Sequence, residues 1–293
     1  MKTLFVAIAF LTAALPAMAE EAPGTLDKIR QSGAITLGVR EASVPLSYMD
    51  AAGQPHGYNV DICLKIVDAV KGKLGLPKLQ VNYQTVTAQT RIPLLTSGTV
   101  DMDCGTTSIT GNRELQLAFT PPTYASTVRM AVAKASGITG IDQLNGKTVV
   151  TTAGTTSVTL LHELELTRKL SFRTVYGKDH QESFAMLAKG AADAMILDDF
   201  ILLGEMTVSG QADRFAIVGE SLKSKHLALM FRSDSPEFDA IADHVVETMA
   251  SNGELAKLYD KWFNTPIPPN GVKLNLPMND EMRLLTQGKL PHG

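Results

Sequence analysis

The chain has 293 residues, of which 44% are hydrophobic and 19% charged, and it contains only two cysteines. This composition excludes a disordered chain, a collagen-like fibre and a disulfide-dense miniprotein. The 27 Lys and Arg against 30 Asp and Glu give a formal net charge of −3. That balance lacks the basic surface of a nucleic-acid-binding protein. The length suits one large domain or two lobes.

The first 19 residues have the pattern of a secretory signal peptide. Lys2 gives a positive start, residues 4–15 are apolar, and Ala17-Met18-Ala19 supplies the small residues of a cleavage site. The apolar stretch is shorter than the ~20 residues that a membrane span needs. A buried N-terminal helix is the alternative. We therefore expect residues 1–19 to be removed and the protein to be exported.

Strand-like and helix-like segments alternate after the leader. The pattern predicts strands at 34–39, 79–86, 100–104, 129–134, 147–152, 172–176, 194–197, 215–218 and 226–231. Asn59 is the predicted N-cap of a helix that ends at Gly75, a short helix covers 89–97, and two late helices divide near Asn252-Gly253. A mostly irregular tail is expected from Pro266 onwards. The alternation predicts an α/β fold with largely parallel sheets.

Two segments have the character of crossings between lobes. Pro121-Pro122 separates the first block of elements from the second, and Gly219-Glu220 precedes the return to strands and helices. A chain that leaves one lobe and later returns forms a two-lobe body with a cleft. We predict one lobe from residues 20–124 and 221–293, and a second lobe from residues 125–220.

Cys63 and Cys104 are the two cysteines. Export to an oxidising compartment permits a disulfide between them. Two buried free thiols explain the sequence equally well, because the geometry of the pair cannot be read from its spacing. Both alternatives stay open at this point.

Three arginines lie at the boundaries of predicted elements: Arg40 ends a strand, and Arg91 and Arg113 fall in the first turns of short helices. A cation in a first turn opposes the helix dipole by roughly 0.3–1 kcal/mol, which a bound anion would offset. The carboxyl ends of strands face the ligand crevice of α/β sheets. Any one arginine could simply pair with a nearby acid such as Glu41 or Glu114. Three together favour a site for carboxylates.

The second block supplies matching polar groups. Residues 152–157 join a strand to a helix, so their amides and hydroxyls can hold an anion or simply cap the helix. His180 follows the predicted cap Asp179 and is left free for ligand or solvent. Asp198 ends an apolar strand and suits an ammonium group, whereas Asp199 is better placed as a helix cap. A cationic cleft with a single acid fits an acidic amino acid.

Six motifs occur together and in order. They are REASVPLSY at 40–48, TRIPLL at 90–95, CGTTS at 104–108, GTTS at 154–157, KDH at 178–180 and KWFNTPIPP at 261–269. Together they resemble the glutamate/aspartate-binding proteins of bacterial ABC uptake systems, within the polar amino-acid substrate-binding family, over residues 25–282. The resemblance implies a periplasmic-binding-protein (Venus flytrap) fold, with two α/β lobes joined by two hinge strands.

The resemblance also implies a role for eight residues, grouped by the part of the ligand that they contact. By this resemblance, Arg113, Ser108 and Thr156 bind the α-carboxylate of the ligand. Asp198 and Thr106 bind its α-ammonium. Arg40, Arg91 and His180 bind its side-chain carboxylate. It implies no catalytic residue, no metal and no cofactor.

This sequence departs from the family pattern at three positions. Ala88 and Thr90 stand where relatives carry serine and asparagine, which leaves the balance between glutamate and aspartate open. Leu229 stands where relatives carry the cysteine that pairs with the Cys-Gly motif, so that family disulfide is expected to be absent. Cys63 is not at an equivalent position.

The sequence thus predicts a monomeric periplasmic protein that captures L-glutamate or L-aspartate and delivers it to a membrane ABC permease. One alternative is a same-fold binding protein for another amino acid or small acid. Another is a periplasmic dehydratase of cyclic amino-acid precursors, which would need a general acid in the cleft. The six histidines lack metal-ligand spacing and no glycine-rich phosphate loop occurs, so neither a metal nor a nucleotide is expected.

Overall fold

The computed structural model describes residues 23–289, and the predicted signal peptide lies outside this range. Its α-helices are α1 (Thr25–Ser32), α2 (Tyr58–Leu74), α3 (Arg91–Thr96), α4 (Gly111–Glu114), α5 (Thr156–Arg168), α6 (His180–Ala188), α7 (Asp199–Val208), α8 (Pro236–Ser251), α9 (Glu254–Tyr259) and α10 (Asp280–Leu285). Its strands are β1 (Ala34–Val39), β2 (Ala42–Ser43), β3 (Ser47–Met49), β4 (Pro55–His56), β5 (Gln80–Thr85), β6 (Met102–Ser108), β7 (Ala118–Phe119), β8 (Tyr124–Ala133), β9 (Thr148–Thr152), β10 (Arg173–Gly177), β11 (Ala194–Asp198) and β12 (Phe215–Phe231). None of these helices is long and apolar enough to cross a membrane.

Two parallel half-sheets are joined through a central antiparallel pair. The strand order is β10-β9-β11-β8-β12-β6-β1-β5, with β7 added beside β12. β9 runs parallel to β10 and β11, and β1 runs parallel to β5 and β6. β8 and β12 pair with each other, and each also pairs with a neighbour in one half-sheet. Each half-sheet with its helices forms one lobe, and β8 and β12 connect the two.

The second connecting strand differs from the prediction. The sequence predicts separate strands at 215–218 and 226–231, whereas β12 is continuous over 17 residues. Its pairing with β8 shifts register between Val218 and Lys223 and then continues. Residues 219–221 are exposed, so this part of the strand lacks the apolar alternation from which a strand is predicted. Pairing with β8 on either side, up to Val218 and again from Lys223, holds this exposed stretch within the strand where the chain passes between the lobes.

Apolar helix faces cover the sheet in each half. In the first half, α2 buries Ile62, Ile66 and Val70 among the residues of the larger core. In the second half, α5 buries Leu160 and Leu164 in a separate core. The predicted α/β fold is therefore confirmed. The helices leave uncovered the strand ends that carry the candidate site, and these ends lie between the two halves.

The start of α2 and the cysteine pair are settled by the structure. α2 begins at Tyr58, so the prediction of Asn59 as its N-cap is wrong. Asn59 is buried instead, because its amide donates to the Gly105 carbonyl at 2.5 Å. One turn further on, Cys63 is bonded to Cys104 on β6, with their Cα atoms 6.1 Å apart. The disulfide and Asn59 both fix α2 to the strand that carries much of the site.

Of two features late in the chain, one differs from the sequence prediction and the other agrees with it. The tail after Pro266 contains α10, whose cap Asn279 also donates a hydrogen bond to the carbonyl of Ala125 on β8 at 3.1 Å. The division of the preceding helices near Asn252-Gly253 is confirmed, since α8 ends at Ser251 and α9 begins at Glu254.

Candidate functional site

The predicted residues converge on one cleft at the carboxyl ends of β1, β6, β9 and β11. Six of them line its inner part, which is formed by Arg91, Thr106, Ser108, Thr155, Thr156, His180, Asp198, Ile201 and Lys225. The remaining two adjoin it, because Arg40 contacts Thr106 and Arg113 contacts Ser108. Arg113 also lines a wider outer part of about 600 Å³, which shares Ser108, Thr156 and Lys225 with the inner part.

Arg40 follows β1 and is almost fully buried, with 2% of its surface exposed. Its Nη1 donates to Thr106 Oγ1 at 3.2 Å, and its backbone N–H donates to Ser47 Oγ at 2.9 Å. Burial, followed by the charge of Arg91, lowers the pKa of Arg40 to about 10. The guanidinium stays protonated at neutral pH and is held in place before any ligand arrives.

Arg91 is the first residue of α3 and is equally buried. Its Nη1 donates to the Thr106 carbonyl at 3.3 Å, but its Nε finds no hydrogen-bond partner within residues 23–289. Burial lowers the pKa of Arg91. A buried donor without an acceptor is costly, so the cleft favours a ligand that brings an oxygen to this position.

Arg113 is half-buried in α4, and its Nη1 donates to the carbonyl of Ser108 at 2.7 Å. Burial, with a further contribution from the charge of Arg91, lowers the pKa of Arg113 to about 10. α3 has six residues and α4 has four, so helix dipoles contribute less here than the sequence argument assumed. The arginines themselves make the site cationic.

Asp103 is a part of the site that the sequence analysis missed. It is fully buried on β6, and one carboxylate oxygen accepts from Thr107 Oγ1 at 2.6 Å. Its charge raises the pKa of Arg40, Arg91 and Arg113, against the lowering caused by burial. An acid between Met102 and Cys104 in a buried strand was the available signal, because such an acid needs a cationic partner.

His180 opens α6 and is 1% exposed. Burial first, then the charges of Arg40, Arg91 and Lys225, holds the pKa of His180 well below its usual value. The ring is therefore neutral at pH 7. This low pKa fits a position surrounded by cations.

Within the described residues, His180 makes side-chain hydrogen bonds through only one of its two ring nitrogens. Its Nδ1 lies 2.9 Å from Thr152 Oγ1, whereas its Nε2 is buried without a partner in the described part of the chain. Thr152 Oγ1 also lies 2.8 Å from Ser183 Oγ, and Ser183 Oγ donates to the Asp179 carbonyl at 2.8 Å. Nε2 is therefore the ring nitrogen that is left for a ligand.

Asp198 faces the cleft, as predicted, and it is already paired. It accepts from Ser126 Oγ on one oxygen and from Lys225 Nζ on the other, at 2.9 Å for the lysine. Lys225 was missed because it lies in the polar stretch of β12 that was predicted as a connection. Asp198 rather than Asp199 occupies the N-cap position of α7, although it makes no capping bond.

The two lobes touch beside the cleft at two glycines. A Cβ at Gly154, where φ is +75°, would lie 2.9 Å from the backbone of Ala88. On α7, a Cβ at Gly204 would lie 2.5 Å from the Val44 carbonyl oxygen. Separations this small are essentially never seen for real Cβ atoms, so each contact requires glycine. The structure is a closed arrangement of the lobes.

Residues 35–265 match the family model of bacterial extracellular solute-binding proteins, family 3. This chain belongs to that family. It is 42% identical over 271 residues to the L-glutamate/L-aspartate-binding protein of Pseudomonas aeruginosa, covering 92% of this chain and 90% of the relative. It is 40% identical over 267 residues to the glutamate/aspartate import solute-binding protein of Escherichia coli, covering 91% and 88%.

A solved structure supports the fold. The cysteine-binding protein of Campylobacter jejuni superposes with a TM-score of 0.70 at 25% identity, covering 82% of this chain and 93% of that one. The predicted two-lobe fold and the predicted family are therefore confirmed. The relatives are named as binding and import proteins rather than as enzymes, which agrees with a cleft built to hold a ligand.

Proposed function

We propose that this protein binds L-glutamate or L-aspartate between its lobes and delivers it to a membrane ABC permease. One observation carries the proposal: among the described residues, three arginines and a neutral histidine whose Nε2 has no partner converge on a cleft, and the inner wall of that cleft contains one carboxylate, that of Asp198. Arginines present planar donors that match carboxylates. The 40–42% identical relatives that carry glutamate and aspartate in their names support the same ligand class.

The roles of individual residues follow from their positions. The outer arginine, Arg113, is placed for the α-carboxylate together with Ser108 and Thr156. The inner pair, Arg40 and Arg91, is placed with His180 for the side-chain carboxylate. Asp198 and Thr106 are placed for the α-ammonium. Under these roles, Nε of Arg91 and Nε2 of His180 gain the hydrogen-bond partners that they lack among the described residues.

The ligand acts by stabilising the closed form. It contacts groups from both halves of the chain, so it shifts the lobes together by its greater affinity for the closed state. We place the lobe boundaries at 124/125 and 220/221, where β8 begins and where the β12 register shifts. The closed monomer, exported to the periplasm by its predicted signal peptide, is the form that the permease would recognise.

The dehydratase alternative lacks support at the cleft. Its chemistry needs a general acid against the substrate, and no glutamate occurs among the described residues that line the inner cleft. Burial raises the pKa of Glu205 to about 8, but Glu205 lines a different cavity, together with Phe184 and Pro268. A neutral amino acid is also disfavoured, because its side chain would bring no negative charge to Arg40 and Arg91, which share the buried carboxylate of Asp103.

Isothermal titration calorimetry of ligand-stripped protein tests the proposal. We expect tight binding of glutamate and aspartate, and binding of glutamine and asparagine that is weaker by roughly 100-fold or more. Amides that bind as tightly as the acids would contradict the assignment of Arg40, Arg91 and His180. Absence of heat with all four amino acids would contradict the proposed ligand class.

A further inference from the structure

The carboxylate of Asp198 has a cationic partner within the protein. Lys225 Nζ donates to Asp198 Oδ2 at 2.9 Å and to Thr156 Oγ1 at 3.1 Å. Both the lysine and the aspartate side chain are only 8% exposed. The second oxygen of Asp198 accepts from Ser126 Oγ. Removing one partner of so buried a pair leaves the other charge uncompensated, which is strongly unfavourable.

This ion pair is built across three adjacent strands. Lys225 on β12 lies directly opposite Ser126 on β8, and Asp198 on β11 lies opposite Val128 on β8. Lys225 lines both the inner and the outer part of the cleft. It therefore occupies the side of Asp198 that the proposed function gives to the α-ammonium of the ligand.

The rest of the cleft requires negative charge but no ammonium. With the Lys225–Asp198 pair intact, Arg40, Arg91 and Arg113 remain, and their buried counter-charge is Asp103. His180 adds no charge, because burial and its cationic neighbours hold its pKa well below the usual value. A ligand with two carboxylates and no amino group balances this arrangement.

We propose that the cleft also binds short dicarboxylates that carry no ammonium group, with Lys225 in the ammonium position. The inference rests on the proposed function, since both ligand classes use the same arginines. An amino acid must displace Lys225 from Asp198, whereas a dicarboxylate leaves the pair intact. Lys225 thus sets the selectivity between acidic amino acids and their deaminated counterparts.

Calorimetry with glutamate and with glutarate, its five-carbon analogue without the amino group, tests this inference. We expect the wild-type protein to bind both, with Kd values within about 100-fold of each other. Lys225→Gln should weaken glutarate relative to glutamate by roughly 10-fold or more, because Asp198 then stays unpaired under glutarate. Lys225→Arg should retain glutarate binding.

Lys73→Gln is the matched control. Lys73 lies on α2, is about half exposed and pairs with Glu237, so its loss removes the same charge outside both parts of the cleft and without touching Asp198. It should leave the glutamate-to-glutarate ratio unchanged. Circular dichroism of every variant separates a binding defect from a folding defect.

Each outcome decides between the two proposals. A wild-type protein that binds glutamate but gives no heat with millimolar glutarate overturns the inference and leaves the proposed function in place. Equal losses for both ligands in Lys225→Gln also overturn it. Binding of glutarate alone would support the inference and contradict the proposed function, and binding of neither ligand would contradict both.

Discussion

The carbonyl oxygen of Val44 lies 2.5 Å from the point where a Cβ at Gly204 would stand. Val44 follows Arg40 by four residues, and Gly204 lies on α7, which begins directly after Asp198. The contact therefore connects the backbone beside one predicted ligand residue to the helix beside another. Because α7 and the segment around Val44 belong to opposite lobes, closure depends on the absence of a side chain at Gly204.

Gly204→Ala should hinder closure of the two lobes without lowering the stability of the open form. Alanine is favoured over glycine inside a helix by about 1 kcal/mol, so the open form should lose no stability. In the closed form the new methyl group meets the Val44 carbonyl, and we expect ligand affinity to fall roughly 10-fold, or about 1.4 kcal/mol. Calorimetry measures the affinity, and small-angle scattering measures whether the ligand still compacts the protein.

Gly72→Ala is the control for this experiment. Gly72 lies inside α2, and a Cβ there would meet nothing within 4 Å. It carries the same change in helix propensity without a contact between lobes, so its affinity should match the wild type. Unchanged affinity and normal compaction in Gly204→Ala would show that the lobes close in another way.

Arg91 and Arg113 should differ in the ligands whose affinity depends on them. Arg91→Ala removes a donor from the inner end of the cleft, so we expect glutamate to weaken by roughly 100-fold and glutamine by about 3-fold or less. Arg113→Ala removes the donor proposed for the α-carboxylate, which every amino acid carries, so both ligands should weaken by a similar factor. Calorimetry of the two variants with the two ligands gives the four ratios, and equal losses in Arg91→Ala would assign Arg91 elsewhere.

Arg40 and Arg91 could be found from sequence because each lies at the end or the start of an element, and Arg113 because it lies in a first helical turn. Arg40 follows an apolar strand, and Arg91 opens a helix, positions that are recognisable from local hydrophobic periodicity. Asp198 could be found for the same reason. Local pattern thus located the residues that project from the ends of strands, and the α/β alternation brought them to one cleft.

Other parts of the site depend on contacts between distant segments and were missed. Lys225 lies in a polar stretch that is extended only because β8 pairs with it, so no local signal marked it as a strand residue. Asp103 acquires its role from arginines far away in sequence. The pairing of Cys63 with Cys104 was undecidable because it requires the packing of α2 on β6.

Reduction of the Cys63–Cys104 disulfide should destabilise the protein. The bond closes a loop with a sequence separation of 41, for which loop entropy predicts a contribution of about 4 kcal/mol. We expect a reductant to lower Tm by roughly 10 °C. The Cys63→Ala/Cys104→Ala variant should show the lower Tm with or without reductant. A wild-type Tm that reductant leaves unchanged after full unfolding and refolding would contradict this contribution.

Glu205 should make stability fall as the pH rises. Burial, with a smaller contribution from Asp179, raises the pKa of Glu205 from 4.5 to about 8. Between these values the unfolded chain releases the proton and the folded protein keeps it, so stability declines with pH. Glu205→Gln removes this decline, and its Tm should exceed that of the wild type by roughly 5–10 °C at pH 8 but little at pH 5.

A matched control for that measurement is Glu163→Gln. Glu163 is about half exposed and pairs with Lys223 at the surface, where such pairs contribute about 1 kcal/mol or less. Its Tm difference from the wild type should stay small at both pH values. A Glu205→Gln difference that does not grow between pH 5 and pH 8 would show that Glu205 is ionised in the folded protein.

His180 should have the opposite effect on the acid side. Burial and the charges of Arg40, Arg91 and Lys225 hold the pKa of His180 well below 6.5 in the folded protein. Below pH 6.5 the unfolded chain therefore binds a proton that the folded protein does not, and stability falls as the pH falls. One such group contributes a slope of at most about 1.4 kcal/mol per pH unit.

His180→Gln removes this slope, because glutamine does not titrate. Urea unfolding of ligand-free protein between pH 7 and pH 5 should show a flatter decline in the variant than in the wild type, after subtraction of the offset at pH 7. His162→Gln, which replaces an exposed histidine on α5, should decline in parallel with the wild type. If the His180→Gln curve is also parallel, the ring is protonated in the folded protein, and the neutral histidine of the proposed site is wrong.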